Sequence, residues 1–95
     1  LQPLPAFPSI QRDLNLIVDE TLRWQSLSQV VKQAAGSLLS ECLYRETYRD
    51  AQRDGAGRKR VLLTLLLQSH DQTLTSKQAD EVVQSVIQAT QSTLG

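Results

Sequence analysis

The sequence predicts a small α+β domain in which two helices cover one face of an antiparallel three-stranded sheet. One segment carries apolar residues at every second position, as a half-buried strand does. Two segments carry them at three- and four-residue spacing, as amphipathic helices do. The most apolar run is short and flanked by Gly and Ser, which favours a strand. The length of 95 residues fits one domain.

The first two elements follow from these periodicities. Residues 1–9 hold all three prolines, which indicates an extended lead-in or linker before a domain spanning residues 10–95. Apolar side chains alternate with others from Leu14 to Val18, which predicts a strand that begins at Ile10. The next segment has helical spacing, and we expect Gly36 to close that helix in a left-handed conformation. Its apolar positions are Trp24, Leu27, Val30, Val31, Ala34 and Ala35.

Two further strands form a hairpin in the middle of the chain. The run from Leu38 to Tyr48 is long enough for a strand with a bend or bulge. The polar stretch from Asp50 to Gly57 predicts the connecting turn. The run from Val61 to Leu67, in which Thr64 is the one polar residue, predicts a central strand covered on both sides.

The last element is a long helix. Thr75 and Gln78 form a capping-box pattern after a turn at residues 70–72. The apolar face of the helix comprises Ala79, Val82, Val83, Val86, Ile87, Thr90 and Leu94. The order strand, helix, strand, strand, helix is that of a ferredoxin-like split βαβ sandwich without its fourth strand. The first strand would then be an open edge.

No motif in the sequence argues for an active site. It has no glycine-rich phosphate loop and no HExxH motif, and its one histidine, His70, lies in a polar turn. The one cysteine, Cys42, lies in an apolar run, which favours a buried small side chain over a reactive thiol. A zinc site needs more ligands than these two. Since no stretch approaches the roughly 18 apolar residues of a membrane span, we expect a cytoplasmic domain without cofactor, metal or catalytic residues.

The charge pattern leaves two interpretations open. Ten Lys and Arg balance ten Asp and Glu, which argues against coating nucleic acid by bulk charge. Cations are nevertheless concentrated between Arg45 and Arg60. They could form a solvated hairpin held by salt bridges, or a phosphate-binding patch built on the triplet Arg58-Lys59-Arg60. Adjacent strand residues point to opposite faces, so the triplet places cations on both faces of the sheet.

An aromatic and an apolar feature accompany the cations. Tyr48 could stack on a base or cap the sheet end. The third strand has no aromatic residue, which disfavours base stacking in the manner of RNA-recognition motifs. If the buried positions face the helices, Ile17, Leu62 and Leu66 point away from them, and apolar residues on an uncovered face suggest contact with a partner.

Several segments resemble a known family. The segment from Phe7 to Val18, FPSIQRDLNLIV, resembles the F-P-x-x-x-R-D-L-x-L-V-V opening of the ferredoxin-fold anticodon-binding domain of bacterial-type phenylalanyl-tRNA synthetase β subunits. Further similarities to that family, in the same order, are Leu38-Leu39-Ser40-Glu41 to L-L-E-S, Tyr48-Arg49 to Y-R, Lys59 to the lysine opening strand three, and Gln72-Thr73-Leu74-Thr75 to R-T-L-T. The sequence departs from the family at Arg60, Leu62 and Gln72, where serine, alanine and a basic residue are usual. The resemblance extends from Phe7 to Gly95.

The resemblance implies a function and partners. In that family the domain binds the anticodon stem-loop of phenylalanine tRNA and ends the chain, while catalysis resides in the other subunit. It therefore implies a non-catalytic module with three partners, namely the tRNA, the rest of the β subunit and the α subunit, and no membrane or small-molecule ligand. It also implies that the family's last strand would follow Gly95. The expected RNA-binding residues are Arg12, Tyr48, Arg49, Arg58, Lys59 and Arg60.

Two alternatives stay open. A docking domain of the synthetase, with little RNA contact, would use the apolar residues predicted on the uncovered sheet face. A small-ligand regulatory domain has the same topology, but the sequence offers no glycine-rich effector loop to support it.

Overall fold

A computed structural model describes residues 8–94 of the chain. The strands are β1 (Ile10–Asp19), β2 (Leu39–Tyr48) and β3 (Arg58–Leu67). The helices are α1 (Trp24–Ala35), α2 (Ala51–Asp54) and α3 (Ser76–Leu94), and a 3-10 turn, Gly36–Leu38, follows α1. The predicted order of strands and long helices is confirmed, while the single turn of α2 was not predicted. The expected lead-in lies outside the described residues except for Pro8 and Ser9, which have no regular structure.

The sheet has the order β1-β3-β2, and β3 is antiparallel to both neighbours. Strands β1 and β2 are therefore parallel to each other and are joined through α1. This is the expected ferredoxin-like arrangement, and residues 8–94 contain three of its strands, without a fourth. Two register shifts interrupt the pairing of β2, after Leu39 and after Tyr44, so the predicted bulge is confirmed twice.

The register separates the two faces of the sheet. Leu14 lies opposite Leu63 and Leu16 opposite Val61, and all four side chains are buried. The alternate positions form what we call the open face, the side of the sheet away from α1 and α3. Ile17 is 42% exposed there. Leu62 and Leu66 are half-buried rather than covered, so within residues 8–94 the prediction that β3 is central is confirmed, but helices cover one of its faces, not both.

Both long helices pack on the other face. Leu27 and Val31 of α1 and Ala79 and Val86 of α3 join the leucines of the sheet in one hydrophobic core. The Trp24 ring, partly buried against the core, lies edge-on to Tyr44 of β2 with the centroids 5.3 Å apart. The predicted apolar face of α3 is buried or half-buried up to Thr90. Its last position, Leu94, lies outside the described side chains.

The helix ends follow from local chemistry. Gly36 ends α1 as expected, and its φ of 72° is the positive value that glycine tolerates. Its ψ of −151° places it outside the left-handed helical region that we expected. At the start of α3 the capping box is confirmed: the Gln78 amide donates to Thr75 Oγ1 at 3.1 Å, and the Thr75 amide donates to Gln78 Oε1 at 2.9 Å.

Replacing the cap of α3 should destabilise the fold without changing it. We expect Thr75→Ala to reduce the free energy of unfolding by about 1 kcal/mol, because the Gln78 amide loses its acceptor. In a domain of this size that corresponds to a decrease of about 4–8 °C in the melting temperature. Thr73→Ala, at an exposed neighbouring position, is the control. Equal melting temperatures for the two variants would contradict the role of the cap.

Candidate nucleic-acid interface

The candidate interface lies on the open face, at the end of the sheet next to the loop that joins β2 to β3. Tyr48, the last residue of β2, is directly opposite Arg60 of β3. Tyr48 is 44% exposed, and its hydroxyl donates to Glu46 Oε2 at 2.7 Å. That bond and the negative charge of Glu46 raise the pKa of Tyr48, so the ring stays neutral. An oriented, exposed aromatic ring can stack on a base, and a guanidinium beside it can contact the phosphate.

Arg60 is held in place by α2. Asp50 caps this helix by accepting hydrogen bonds from the Gln52 and Arg53 amides, and the cap positions Asp54 one turn later. Arg60 donates to both carboxylate oxygens of Asp54, at 2.7 and 3.4 Å. The Asp54 side chain is 1% exposed, and the hydrogen bond from Arg60 lowers its pKa. This forked pair uses two of the guanidinium nitrogens and leaves Nη1 without a hydrogen bond among the described residues.

Arg49 makes the equivalent connection to the other edge of the sheet. Its Nε and Nη2 donate to the two carboxylate oxygens of Glu20, at 2.6 and 2.8 Å. The pair lowers the pKa of Glu20 and raises that of Arg49, each through the hydrogen bond first. A backbone bond from the Glu20 amide to the Gly57 carbonyl, 2.8 Å long, lies beside it. The hairpin is therefore fastened to the end of β1.

The two remaining members of the basic triplet point in different directions, as predicted. Arg58, opposite Asp19, makes no hydrogen bond or ion pair within residues 8–94, so its guanidinium is available. Lys59 lies on the helix side, where its Nζ donates to the Leu22 carbonyl at 2.7 Å. Hydrogen bonds from Thr21 to Asp19, supported by the charges of Arg58 and Lys59, lower the pKa of Asp19.

Arg12 is separated from this group. It lies on the helix side of β1 opposite Leu65, and its Nε donates to Asp80 of α3 at 3.2 Å. Leu65 is five residues beyond Arg60 along β3, or about 17 Å at the rise of a strand. The structure thus brings Tyr48, Arg49, Arg58 and Arg60 to one end of the sheet, but not Arg12.

A series of hydrogen bonds between three side chains on the open face was not predicted. Arg45 Nε donates to Thr64 Oγ1 at 2.9 Å, and Thr64 Oγ1 donates to Asp13 Oδ1 at 2.7 Å. Thr64 is 1% exposed and lies between two half-buried leucines of the open face. A lone threonine in an apolar strand was the available signal, because a buried hydroxyl needs partners on the neighbouring strands.

The remaining candidates for chemistry were His70 and Cys42. His70 is exposed in a bend, where the turn was expected. Cys42 is half-buried, and burial raises its pKa, which disfavours the reactive thiolate. Within residues 8–94 no three His, Cys, Asp or Glu side chains are grouped as metal ligands would be. In the same part of the chain, no helix has both the length and the apolar character needed to cross a bilayer.

The chain is a ferredoxin-like α+β domain with basic and aromatic side chains at one end of its sheet. The sequence profile of the ferredoxin-fold anticodon binding domain matches residues 5–95, and the chain belongs to this family. It is 44% identical over 86 residues to the phenylalanine–tRNA ligase beta subunit of Rhodopirellula baltica, a match covering 90% of this chain and 13% of that protein. The beta subunit of Corynebacterium efficiens is 36% identical over 77 residues (81% of this chain, 9% of that protein). That of Bacillus subtilis is 31% identical over 90 residues (95% and 11%). The chain thus spans 9–13% of the length of these relatives.

The Asp54–Arg60 pair predicts a pH-dependent stability. The pKa of Asp54 is below its ordinary value of 3.8 in the folded chain. Its ionised form therefore stabilises the fold fully above the unfolded pKa, and this contribution disappears as the pH falls through the folded pKa. We expect Asp54→Asn to lower the urea midpoint of unfolding at pH 7, and the difference from the wild type to narrow below about pH 4.

The control for this experiment is Asp71→Asn, which removes an exposed carboxylate that accepts no hydrogen bond within residues 8–94. It should leave the urea midpoint almost unchanged at pH 7. A difference between Asp54→Asn and the wild type that stays constant down to pH 2 would show that the ion pair does not contribute to stability.

Proposed function

We propose that this chain binds the anticodon stem-loop of phenylalanine tRNA as a module of phenylalanyl-tRNA synthetase. The observation that carries the proposal is the pairing of exposed Tyr48 with Arg60 on the open face, in a chain that belongs to an anticodon-binding family. The relatives bear the name phenylalanine–tRNA ligase beta subunit, which supports the choice of tRNA. Anticodon bases are unstacked in a loop, and such bases are the usual targets of sequence-specific RNA binding.

The geometry supports a proposed role for each side chain. Tyr48 stacks on a loop base, while Arg58 and the free nitrogen of Arg60 contact phosphates. Arg49 also contributes a phosphate contact through its unpaired nitrogen. The ion pairs with Asp54 and Glu20 fix the two guanidinium groups before RNA binds, which lowers the entropy lost on binding.

Two of the residues predicted to bind RNA, Lys59 and Arg12, lie on the helix side of the sheet and not on the open face. Lys59 is adjacent to this surface but directed to the helix side, where it is bonded to a backbone carbonyl. Arg12 is on the helix side and distant from Tyr48, so it contacts a part of the RNA other than the base that Tyr48 stacks on.

The proposal also covers the setting of the module. We assign the chain a binding role without a catalytic site of its own, since the resembling domains lie apart from the catalytic subunit. Its protein partners are the remainder of the β subunit and the α subunit, and its location is the cytoplasm. The relatives are named as beta subunits of phenylalanine–tRNA ligase, which supports the assignment to a β subunit with an α partner.

Titration of the isolated stem-loop tests the function. We expect the chain to bind the anticodon stem-loop more tightly than a stem-loop with a scrambled loop, with an affinity that decreases as salt increases. Arg58→Ala should lower the slope of log K against log salt by about 0.7–0.9, because one phosphate contact is lost. Arg23→Ala, which removes an exposed cation that precedes α1, is the control. Equal affinity for both loops, or no binding at low salt, would exclude specific recognition.

The tyrosine provides a second test. Tyr48→Ala should weaken stem-loop binding roughly 5- to 150-fold, the range for loss of one base stack. Tyr48→Phe retains the ring and removes only the bond to Glu46, so we expect a much smaller effect. Binding by fluorescence anisotropy distinguishes the two variants. If Tyr48→Ala binds like the wild type, the residue caps the sheet and does not stack on a base.

A docking role is the second candidate function, favoured by the exposure of Ile17 and the half-buried Leu62 and Leu66 on the open face. Under this alternative, Leu62→Asp or Leu66→Asp prevents assembly with the remainder of the synthetase, while Arg58→Ala leaves RNA binding intact. Assembly is measured by co-purification with the other domains, and thermal melting verifies that each variant folds. Normal assembly of both leucine variants would eliminate the docking role.

A further inference from the structure

A cleft lies on the open face, away from the Tyr48–Arg60 pair. It has a volume of about 380 Å³ and is lined chiefly by Gln11, Asp13, Asn15, Arg45, Leu62 and Thr64. Thr64 is four residues beyond Arg60 along β3, which places the cleft about 13 Å from the Tyr48–Arg60 pair at the rise of a strand. The cleft is therefore on the same face as Tyr48 but is a separate site.

The polar groups of this cleft are held rigidly. Arg45 is the extra residue at a bulge in β2, since Tyr44 pairs with Leu63 and Glu46 with Leu62. A bulge changes the direction of a side chain, and here the Arg45 guanidinium lies across the sheet against Thr64. Because the buried Thr64 hydroxyl is bonded on both sides, it fixes Arg45 and Asp13 relative to each other.

Arg45 and Asp13 both retain polar atoms that can form further hydrogen bonds. Within residues 8–94 the two terminal nitrogens of Arg45 make no hydrogen bond, and neither does Asp13 Oδ2. The cleft therefore presents a pair of donors close to an acceptor. Leu62, half-buried on the central strand, supplies an apolar surface between them, and the amide of Asn15 lies alongside.

A phosphate does not match this arrangement, because the Asp13 carboxylate repels it. A base edge does match, because it offers N–H groups to the carboxylate and acceptors to the guanidinium. Guanine has two adjacent acceptors, O6 and N7, which arginine binds with two hydrogen bonds, and it has N1–H and N2–H₂ donors next to O6. Adenine and uracil lack two adjacent acceptors, and cytosine, which has O2 and N3, offers one donor group beside them where guanine offers two.

We propose that this cleft, formed by Asp13, Thr64 and Arg45, binds one unstacked guanine base of a single-stranded RNA segment. The Arg45 nitrogens donate to O6 and N7, and Asp13 Oδ2 accepts from N1–H or N2–H₂. The base lies against Leu62. This inference rests on the proposed RNA-binding function and adds to it a second base site, with a stated base preference, on the same sheet face.

Short oligonucleotides test the base preference separately from the tRNA. The probes are seven-nucleotide uridine oligomers with a central guanosine, adenosine or uridine. We expect the guanosine oligomer to bind about tenfold more tightly than the other two. Amide NMR shifts should change at Thr64 and at the Asn15 side chain with this oligomer. Asp13→Asn can still accept from Thr64 but directs a donor at the guanine N–H groups, so it should abolish the preference.

Asp71→Asn is the matched control, since it removes the same charge from an exposed residue that does not line the cleft and should retain the preference. Thermal melting verifies that Asp13→Asn is folded, and Arg45→Ala should also lose the preference if Asp13→Asn melts early. If all three oligomers bind equally to the wild type, or if Asp13→Asn retains the guanosine preference, the guanine site is wrong while stem-loop binding stands. If neither the stem-loop nor any oligomer binds, the proposed function itself fails.

Discussion

The position of β3 between two partners is the constraint on which the candidate interface depends. All ten of its residues pair with β1, and the stretch from Arg60 to Leu67 also pairs with β2. Since side chains alternate along a strand, this register directs the leucines at positions 63, 65 and 67 to the helices. It directs Arg58 and Arg60 to the open face. A slip of one residue would exchange the two sets and bury cations in the core, so the hydrophobic core also determines where the cations lie.

The ion pairs of the hairpin organise the surface more than they stabilise the chain. Exposed pairs such as Arg49 and Glu20 contribute little free energy, because water solvates both charges and the side chains lose freedom. The Asp54 carboxylate is different, since its side chain is covered and depends on Arg60 for compensation. In both pairs a forked arrangement fixes a guanidinium plane, and the nitrogen outside the fork remains directed away from the acid. Each arginine thus retains a donor in a defined position.

The sequence was sufficient for features that arise from local patterns. Strand alternation, helical spacing and the Thr75–Gln78 cap depend on residues close in sequence, and they were predicted correctly. The short helix α2 was missed because it depends on one capping residue, Asp50, and is too short to show periodicity. The residue partners at the interface could not be predicted, because Arg60 and Asp54 meet only once the hairpin has folded. The same is true of Arg45 and Thr64, whose contact follows from a bulge that the sequence indicated without locating.

Zero net charge has a consequence for how such a domain can bind RNA. A strongly basic protein gains affinity for any phosphate backbone by releasing counterions, whatever the sequence. Here three of the six cations between Arg45 and Arg60 already have an acidic partner, and Asp13 and Glu46 lie on the same sheet face. Long-range attraction is therefore small, and the acids penalise phosphates that approach outside the positions of Arg58 and Arg60. Under the proposed function, the free energy of binding therefore comes from short-range contacts with bases, by stacking on Tyr48 and by hydrogen bonds to groups such as Asp13 and Arg45. The proposed function thus derives both weak attraction to RNA in general and discrimination between loops from the same charge distribution.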